Sequence, residues 1–152
     1  MVKNGVLIWM MILAASALVA ACASPTKHQL KTGPAYELII EDRPELQLFR
    51  LRLRSNESKP LCINSEGWPN SRGDIWSGSA PPLIRLRSKD RLVSAVTKLD
   101  EYCPGGCQTV IPPHGVLLGD VKYETFGDPK VIRSLPERRL EVDIELVRCK
   151  RS

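Results

Sequence analysis

The sequence predicts an all-β domain, either a β-sandwich or a small barrel, that is stapled by disulfides. Short runs alternate between apolar and charged residues with a period of two, which is the pattern of half-buried antiparallel strands. All 12 prolines lie beyond Cys22, at a density that long helices would not tolerate. Four further cysteines follow Cys22, and an even number is typical of the disulfides of an exported domain.

The first 23 residues have the composition of a secretory signal, with a positive Lys3, an apolar middle and a small-residue end. Three fates remain open for this segment. Ala21-Cys22-Ala23 fits an ordinary cleavage site that would release a soluble protein. The apolar run from Val6 is also long enough to remain as an uncleaved membrane anchor. The third fate, which we favour, is lipid attachment.

Val19-Ala20-Ala21-Cys22 resembles the lipobox of bacterial lipoproteins, although that family prefers leucine where this chain has Val19. The resemblance implies that residues 1–21 are a cleaved signal peptide and that Cys22 carries a diacylglycerol on its sulfur. It also implies an acyl chain, such as palmitate, on the new amino group. Ala23 is not an aspartate, which by the same resemblance favours the outer membrane, with the protein facing the periplasm.

The mature chain is predicted to consist of a polar tether at residues 22–34 and a single β-domain at residues 35–152. Without Lys3 it carries 21 basic and 17 acidic residues. This mildly basic balance suits an anionic envelope and is too weak to indicate a nucleic-acid partner.

Strands are predicted in chain order at residues 36–41, 46–56, 61–63, 83–87, 109–111, 116–123 and 139–149. Residues 91–99 fit either a strand or a short helix, and residues 125–136 read as a loop. The alternation predicts one interior lined by Phe49, Leu51, Leu53, Ile84, Leu86, Leu140, Val142, Ile144 and Leu146.

Arginines occupy the opposite side of two of these strands, in the rows Arg50, Arg52, Arg54 and Arg85, Arg87. Such rows could bind an anionic polymer or lipid headgroups. We favour the alternative of a solvated sheet face on which acidic residues of a neighbouring strand balance the arginines. The expected acidic residues are Glu141, Asp143 and Glu145.

The four cysteines of the domain are Cys62, Cys103, Cys107 and Cys149. A metal site would need a tetrahedral set at closer spacing, so we expect disulfides and neither a metal nor a cofactor. Of the three possible pairings we favour Cys103–Cys107 across a Pro-Gly-Gly turn, together with Cys62–Cys149.

The longest irregular stretch, residues 64–82, is the candidate binding loop, with Trp68, Arg72, Asp74 and Trp76 as its site residues. A tryptophan on such a loop either anchors a partner or caps the core, and both alternatives stay open. Arg72-Gly73-Asp74 spells an integrin-type tripeptide, but the same residues are ordinary in a glycine-rich turn.

A broader pattern extends over residues 46–149. It comprises a strand ending in Arg-Ser-Asn, a cysteine-bearing strand, a Trp-Pro loop, a strand followed by Pro-Pro-His-Gly and a last long strand. This pattern resembles small immunoglobulin-like accessory domains of exported bacterial proteins. The resemblance implies an immunoglobulin-like sandwich, and it implies no particular activity.

No catalytic motif stands out, and His114 in Pro-Pro-His-Gly reads as a turn residue. The sequence therefore predicts a non-enzymatic, lipid-anchored envelope protein with a binding or structural role. Its expected contacts are the membrane, through the lipid on Cys22, and an envelope protein. The alternative is a periplasmic inhibitor of a lytic or proteolytic enzyme.

Overall fold

The computed structural model describes residues 27–64, 67–75, 83–96, 108–147 and 149. The signal segment with Cys22 lies outside these residues, as do Trp76, Cys103 and Cys107. The described part consists mostly of strands in antiparallel sheets, which confirms the all-β prediction. The elements are β1 (Lys27–Thr32), β2 (Tyr36–Arg43), β3 (Leu48–Ser55), β4 (Leu61–Asn64), β5 (Ile84–Ser88), β6 (Arg91–Val93), β7 (Gln108–Ile111), β8 (Val116–Lys122), a 3-10 helix (Tyr123–Phe126), α1 (Pro129–Ser134), β9 (Arg138–Val142) and β10 (Leu146–Val147).

The described strands form three sheets. A four-stranded sheet has the order β1-β2-β3-β8, and two three-stranded sheets have the orders β10-β4-β7 and β6-β5-β9. Buried side chains from all three sheets join in one hydrophobic cluster, so the sheets enclose a common core. The immunoglobulin-like form of this arrangement stays a prediction.

The core follows the predicted alternation in most strands. Seven of the nine expected residues are buried: Phe49, Leu51, Leu53, Ile84, Leu86, Leu140 and Val142. Ile144 is only partly buried, and the prediction is wrong for Leu146, which is 41% exposed. The reason is that the predicted strand 139–149 is interrupted after Val142, and the chain continues in a two-residue edge strand that no longer keeps the alternation of β9.

Residues 27–32, predicted to belong to the tether at 22–34, form the strand β1. Here β1 pairs with β2 in register from Lys27↔Asp42 to Thr32↔Glu37. β1 lies at an edge of its sheet, where backbone hydrogen bonds to one neighbour are sufficient and no apolar alternation is required. For this reason a polar sequence without periodicity can still form a strand.

The loop predicted at residues 125–136 contains the helix α1. Asp128 caps this helix, because its side chain accepts a hydrogen bond from the backbone N–H of Lys130 at 2.8 Å, and Pro129 occupies the first helical position. α1 has six residues, and no helix in the described ranges meets the length and hydropathy of a membrane span.

The Cys62–Cys149 disulfide is present, as the favoured pairing predicted. It joins two residues that are 87 positions apart, with their Cα atoms at 5.1 Å. Cys62 lies in β4 and is fully buried, so the cross-link fastens Cys149 to the core. The predicted Cys103–Cys107 pair falls outside the described residues and stays a prediction.

Candidate functional site

The described half of the candidate binding loop contains a tightly hydrogen-bonded turn at residues 70–74. The side-chain oxygen of Asn70 accepts the backbone N–H groups of Arg72 at 2.9 Å and Asp74 at 3.0 Å. The backbone of Asn70 also bonds to Gly73 and to Asp74, in each case at 3.0 Å. Gly73 has a φ of 87°, which side-chain-bearing residues rarely adopt. Turn chemistry therefore accounts for the glycine in Arg-Gly-Asp.

This turn presents Arg72 to solvent. The Arg72 side chain is 70% exposed, and its Nε lies 3.2 Å from a carboxylate oxygen of Asp74. Asp74 is itself fixed by a hydrogen bond from the Asn70 amide at 3.2 Å. The hydrogen bonds of the turn and the contact with Asp74 therefore hold the Arg72 guanidinium in a defined position.

Trp68 caps the core. It is only 6% exposed and belongs to the hydrophobic cluster. Of the two alternatives for this residue, anchoring a partner is therefore wrong and capping the core is correct. The indole lies against Gly119 of β8, where the missing side chain leaves room for it. A Cβ at Gly119 would lie 2.8 Å from Pro69 Cγ and 2.9 Å from Trp68 Nε1.

We expect Gly119→Ala to lower the free energy of unfolding by about 1 to 3 kcal/mol, because Trp68 and Pro69 must shift to admit a methyl group. Urea unfolding at equilibrium measures the change. Gly67→Ala is the matched control and should change stability little, because the nearest atom to a Cβ built there lies at 3.6 Å, an ordinary contact distance. An unchanged midpoint for Gly119→Ala would contradict the packing of Trp68 on β8.

A groove of about 390 Å³ lies between the 70–74 turn and the four-stranded sheet. Its walls include Leu48, Arg50, Asn70, Arg72, Leu118 and Lys122. Each of its three cations has a nearby carboxylate: Arg50 Nε lies 3.0 Å from Asp120, and Lys122 Nζ lies 3.2 Å from Glu124. The groove therefore combines aliphatic walls with neutralised charges and suits a small amphipathic group.

Carboxylates balance the charges of the arginine row of β5, as predicted. Arg87 Nε lies 2.8 Å from Glu141, and an Arg85 amino group lies 2.7 Å from Asp143. The hydrogen bond from Arg87 holds the pKa of Glu141 below its ordinary value of 4.5. These pairs connect β5 to β9 and the residue after it, so they stabilise the sheet and leave little charge for a ligand.

The arginine row of β3 is balanced only in part. Arg50 bonds to Asp120 of β8 through two nitrogens, at 3.0 and 3.3 Å. Arg52 and Arg54 are exposed, and no described carboxylate lies within ion-pair distance of either. These two arginines are the cations of the row that remain available to a partner.

Arg52 and Arg54 lie on what we call the outer face, the side of the four-stranded sheet that points away from the core. Three large apolar residues share this face: Leu30 is 65% exposed, Leu118 64% and Val116 51%. Register places Leu118 directly opposite Arg52, and Val116 opposite Arg54. The outer face therefore presents aliphatic side chains beside unpaired guanidinium groups.

Comparison of the chain with protein-family models, with curated proteins and with solved structures found no match. The chain's own residues are therefore the basis for any functional assignment.

A polar cluster that no local sequence pattern indicates is buried between β2, β9 and the 3-10 helix. The hydroxyl of Tyr123 donates to Asp42, and Arg138 lies 2.9 Å from Asp42 and 3.0 Å from the Tyr123 oxygen. Asp42 is 2% exposed. Burial and the bond to Asp42 raise the pKa of Tyr123 above its ordinary value. The phenol therefore stays protonated as a hydrogen-bond donor.

His114, predicted to be a turn residue, lies in an exposed turn with a φ of 52°. Its backbone N–H donates to Glu57 O at 3.1 Å. Among the described residues, no group of three or more His, Cys, Asp or Glu side chains is placed to hold a metal ion.

Proposed function

We propose that this chain is a non-enzymatic, lipid-anchored binding protein of the bacterial cell envelope. Cys22 carries the lipid, and the domain faces the periplasm from the outer membrane. The observation that carries the binding role is the outer face, where Val116 and Leu118 are each more than half exposed beside Arg54 and Arg52, and Leu30 is more than half exposed at the other edge of the sheet. Exposed apolar groups that share one face are typical of interaction surfaces.

The outer face and the groove favour binding over catalysis on chemical grounds. The exposed groups are aliphatic side chains and guanidinium groups, which contribute contact area and charge complementarity. Neither group is a nucleophile or a general base at neutral pH. The rigid strands β3 and β8 hold these groups in a fixed arrangement, which lowers the entropy cost of binding.

The lipid anchor is tested by Cys22→Ser in the producing cell. We expect the variant to accumulate as the unprocessed precursor, because the thiol that receives the diacylglycerol is missing. Intact mass spectrometry of the wild-type protein should find acyl chains on residue 22. An unmodified mature chain that begins at Ser24 would contradict lipidation and support ordinary secretion.

The alternative function is inhibition of a lytic or proteolytic enzyme in the periplasm. The 70–74 turn favours it, because a hydrogen-bonded turn that projects Arg72 could enter an enzyme cleft with little loss of entropy. Affinity purification from envelope extracts separates the two functions. A captured hydrolase that loses activity in the complex would support inhibition, whereas capture of non-hydrolytic envelope proteins would support the binding role.

A further inference from the structure

The distance between the proposed anchor and the fold is short. Only four residues, 23–26, lie between Cys22 and the start of β1 at Lys27. At about 3.3 to 3.6 Å per residue, the five steps from Cys22 to Lys27 span at most about 18 Å. The four-stranded sheet is itself about 14 Å wide, from three spacings of about 4.8 Å. The anchor therefore keeps this sheet within about its own width of the membrane surface.

The strand register aligns one row of residues across the whole outer face. Leu30 of β1 pairs with Ile39 of β2, Ile39 pairs with Arg52 of β3, and Arg52 pairs with Leu118 of β8. The row thus has an exposed leucine at each end and a guanidinium between them. Aliphatic groups beside arginine are the composition of surfaces that lie at the lipid interface, where the apolar parts enter and the cation meets phosphate.

The unpaired charge on the outer face is positive. Arg43 pairs with Glu41 and Glu45, Arg50 pairs with Asp120, and Lys122 pairs with Glu124. The other charged residues that β2, β3 and β8 place on this face are two cations, Arg52 and Arg54, and one anion, Glu37. Because Arg52 and Arg54 have no described carboxylate partner, an anionic surface can approach them without breaking an ion pair.

We propose that the outer face docks on the anionic phospholipid surface in which the Cys22 anchor is embedded, a proposal that rests on the lipid anchor of the proposed function. The domain then lies with its four-stranded sheet against the headgroups. Arg52 and Arg54 bind phosphates, and Leu30, Val116 and Leu118 enter the interface. The other two sheets, with the disulfide between β4 and Cys149, face away from the membrane and stay free for a protein partner.

A second copy of the chain fits the same face less well. A two-fold symmetric contact brings each surface patch against its own copy. Of the three carboxylates on the strands of this face, Glu41 and Asp120 already pair with Arg43 and Arg50, so only Glu37 remains to meet the two free arginines of the other copy. Like charges in an interface disfavour association, whereas a phosphate-rich surface supplies the missing counter-charge.

The test is hydroxyl-radical footprinting of the full lipidated protein in lipid nanodiscs, after intact mass has established acylation of Cys22. Discs of phosphatidylcholine alone are compared with discs that also contain phosphatidylglycerol. We expect Leu118 and Val116 to be protected from oxidation in the anionic discs, and protection to fall at high salt. Val110 and Leu92, exposed residues of the other two sheets, serve as internal references and should oxidise equally in both discs.

Two charge-reversed variants test whether docking on the membrane depends on the charges of Arg52 and Arg54. In Arg52→Glu/Arg54→Glu we expect the docking equilibrium to fall by at least about 30-fold, since each lost basic residue removes a factor of roughly five and each new carboxylate adds repulsion. Lys89→Glu/Arg91→Glu makes the same charge change in the exposed β5–β6 hairpin of another sheet and should keep the protection. Thermal unfolding checks that both variants remain folded.

Three results would overturn the proposal. Equal oxidation of Leu118 in both discs would mean that the face does not dock. Protection that is indifferent to lipid charge, or is lost equally in the control variant, would remove the role of Arg52 and Arg54. Protection that rises with the number of protein copies per disc would assign the face to self-association. An unmodified Cys22 would instead contradict the lipid anchor of the proposed function, and the docking proposal would fail with that anchor.

Discussion

Removal of the Cys62–Cys149 disulfide is expected to lower the free energy of unfolding by about 4 to 5 kcal/mol. The cross-link joins residues 87 positions apart, so it closes a loop over more than half of the chain. In the unfolded state this loop removes many conformations, and its loss lets the unfolded chain gain entropy. Such a change is a large fraction of the stability of an ordinary domain, which is about 5 to 15 kcal/mol.

The measurement is equilibrium urea unfolding of Cys62→Ala/Cys149→Ala, in which neither thiol is left to form a new disulfide. Val110→Ala is the matched control, because Val110 pairs with Cys62 across β4 and β7 but is 58% exposed. We expect the control to change stability only slightly. A loss below about 1 kcal/mol in the double variant would show that the disulfide does not constrain the unfolded chain as its loop length implies.

Asp42→Ala is expected to cost about 3 to 5 kcal/mol of unfolding free energy. Arg138 is only 12% exposed, and the substitution removes the carboxylate 2.9 Å from its guanidinium. It also removes the acceptor of the Tyr123 hydroxyl. Because the charge of Arg138 then stays in a largely buried site without its counter-ion, most of the expected cost is the desolvation of that charge.

Urea unfolding of Asp42→Ala, Arg138→Ala and the double variant forms a thermodynamic cycle that isolates the coupling between the two side chains. Asp90→Ala, at an exposed position in the turn after β5, is the control for removal of a surface carboxylate and should change stability little. A cost for Asp42→Ala no larger than that of the control would refute the buried pair. Tyr123→Phe is expected to have a smaller effect of about 1 kcal/mol, because it removes one hydroxyl from the network.

The elements that sequence predicted well are those in which local alternation and burial coincide. In β3, Phe49, Leu51 and Leu53 are fully buried between exposed or half-exposed arginines, as a period of two requires. β1 was missed because an edge strand needs hydrogen bonds from one neighbour and imposes no apolar pattern on its residues. α1 was missed because its six residues are too few for a helical period to be recognised.

The candidate site was predicted less completely than the fold. Arg72 and Asp74 lie in the turn that was singled out, but Trp68 belongs to the core, and the outer face was not anticipated. The run Val116-Leu117-Leu118 is apolar throughout, so its sequence does not indicate which residues point outward. Pairing with β3 places Leu118 opposite the exposed Arg52, and this register is absent from the local pattern.

The sequence by itself determined the all-β class and the alternation that separates most core residues from surface residues. It also determined which cysteines are present to form the disulfide. These properties are local, since each depends on side chains a few positions apart. Tertiary structure alone decided which arginines are neutralised. Arg50 meets Asp120 from 70 positions away, and Arg87 meets Glu141 from 54. Strand register gives Arg52 two apolar neighbours, Ile39 and Leu118, and it places Arg54 between Val116 and Glu37. Because the Glu37 carboxylate is not within ion-pair distance of Arg54, both arginines remain unpaired among the described residues.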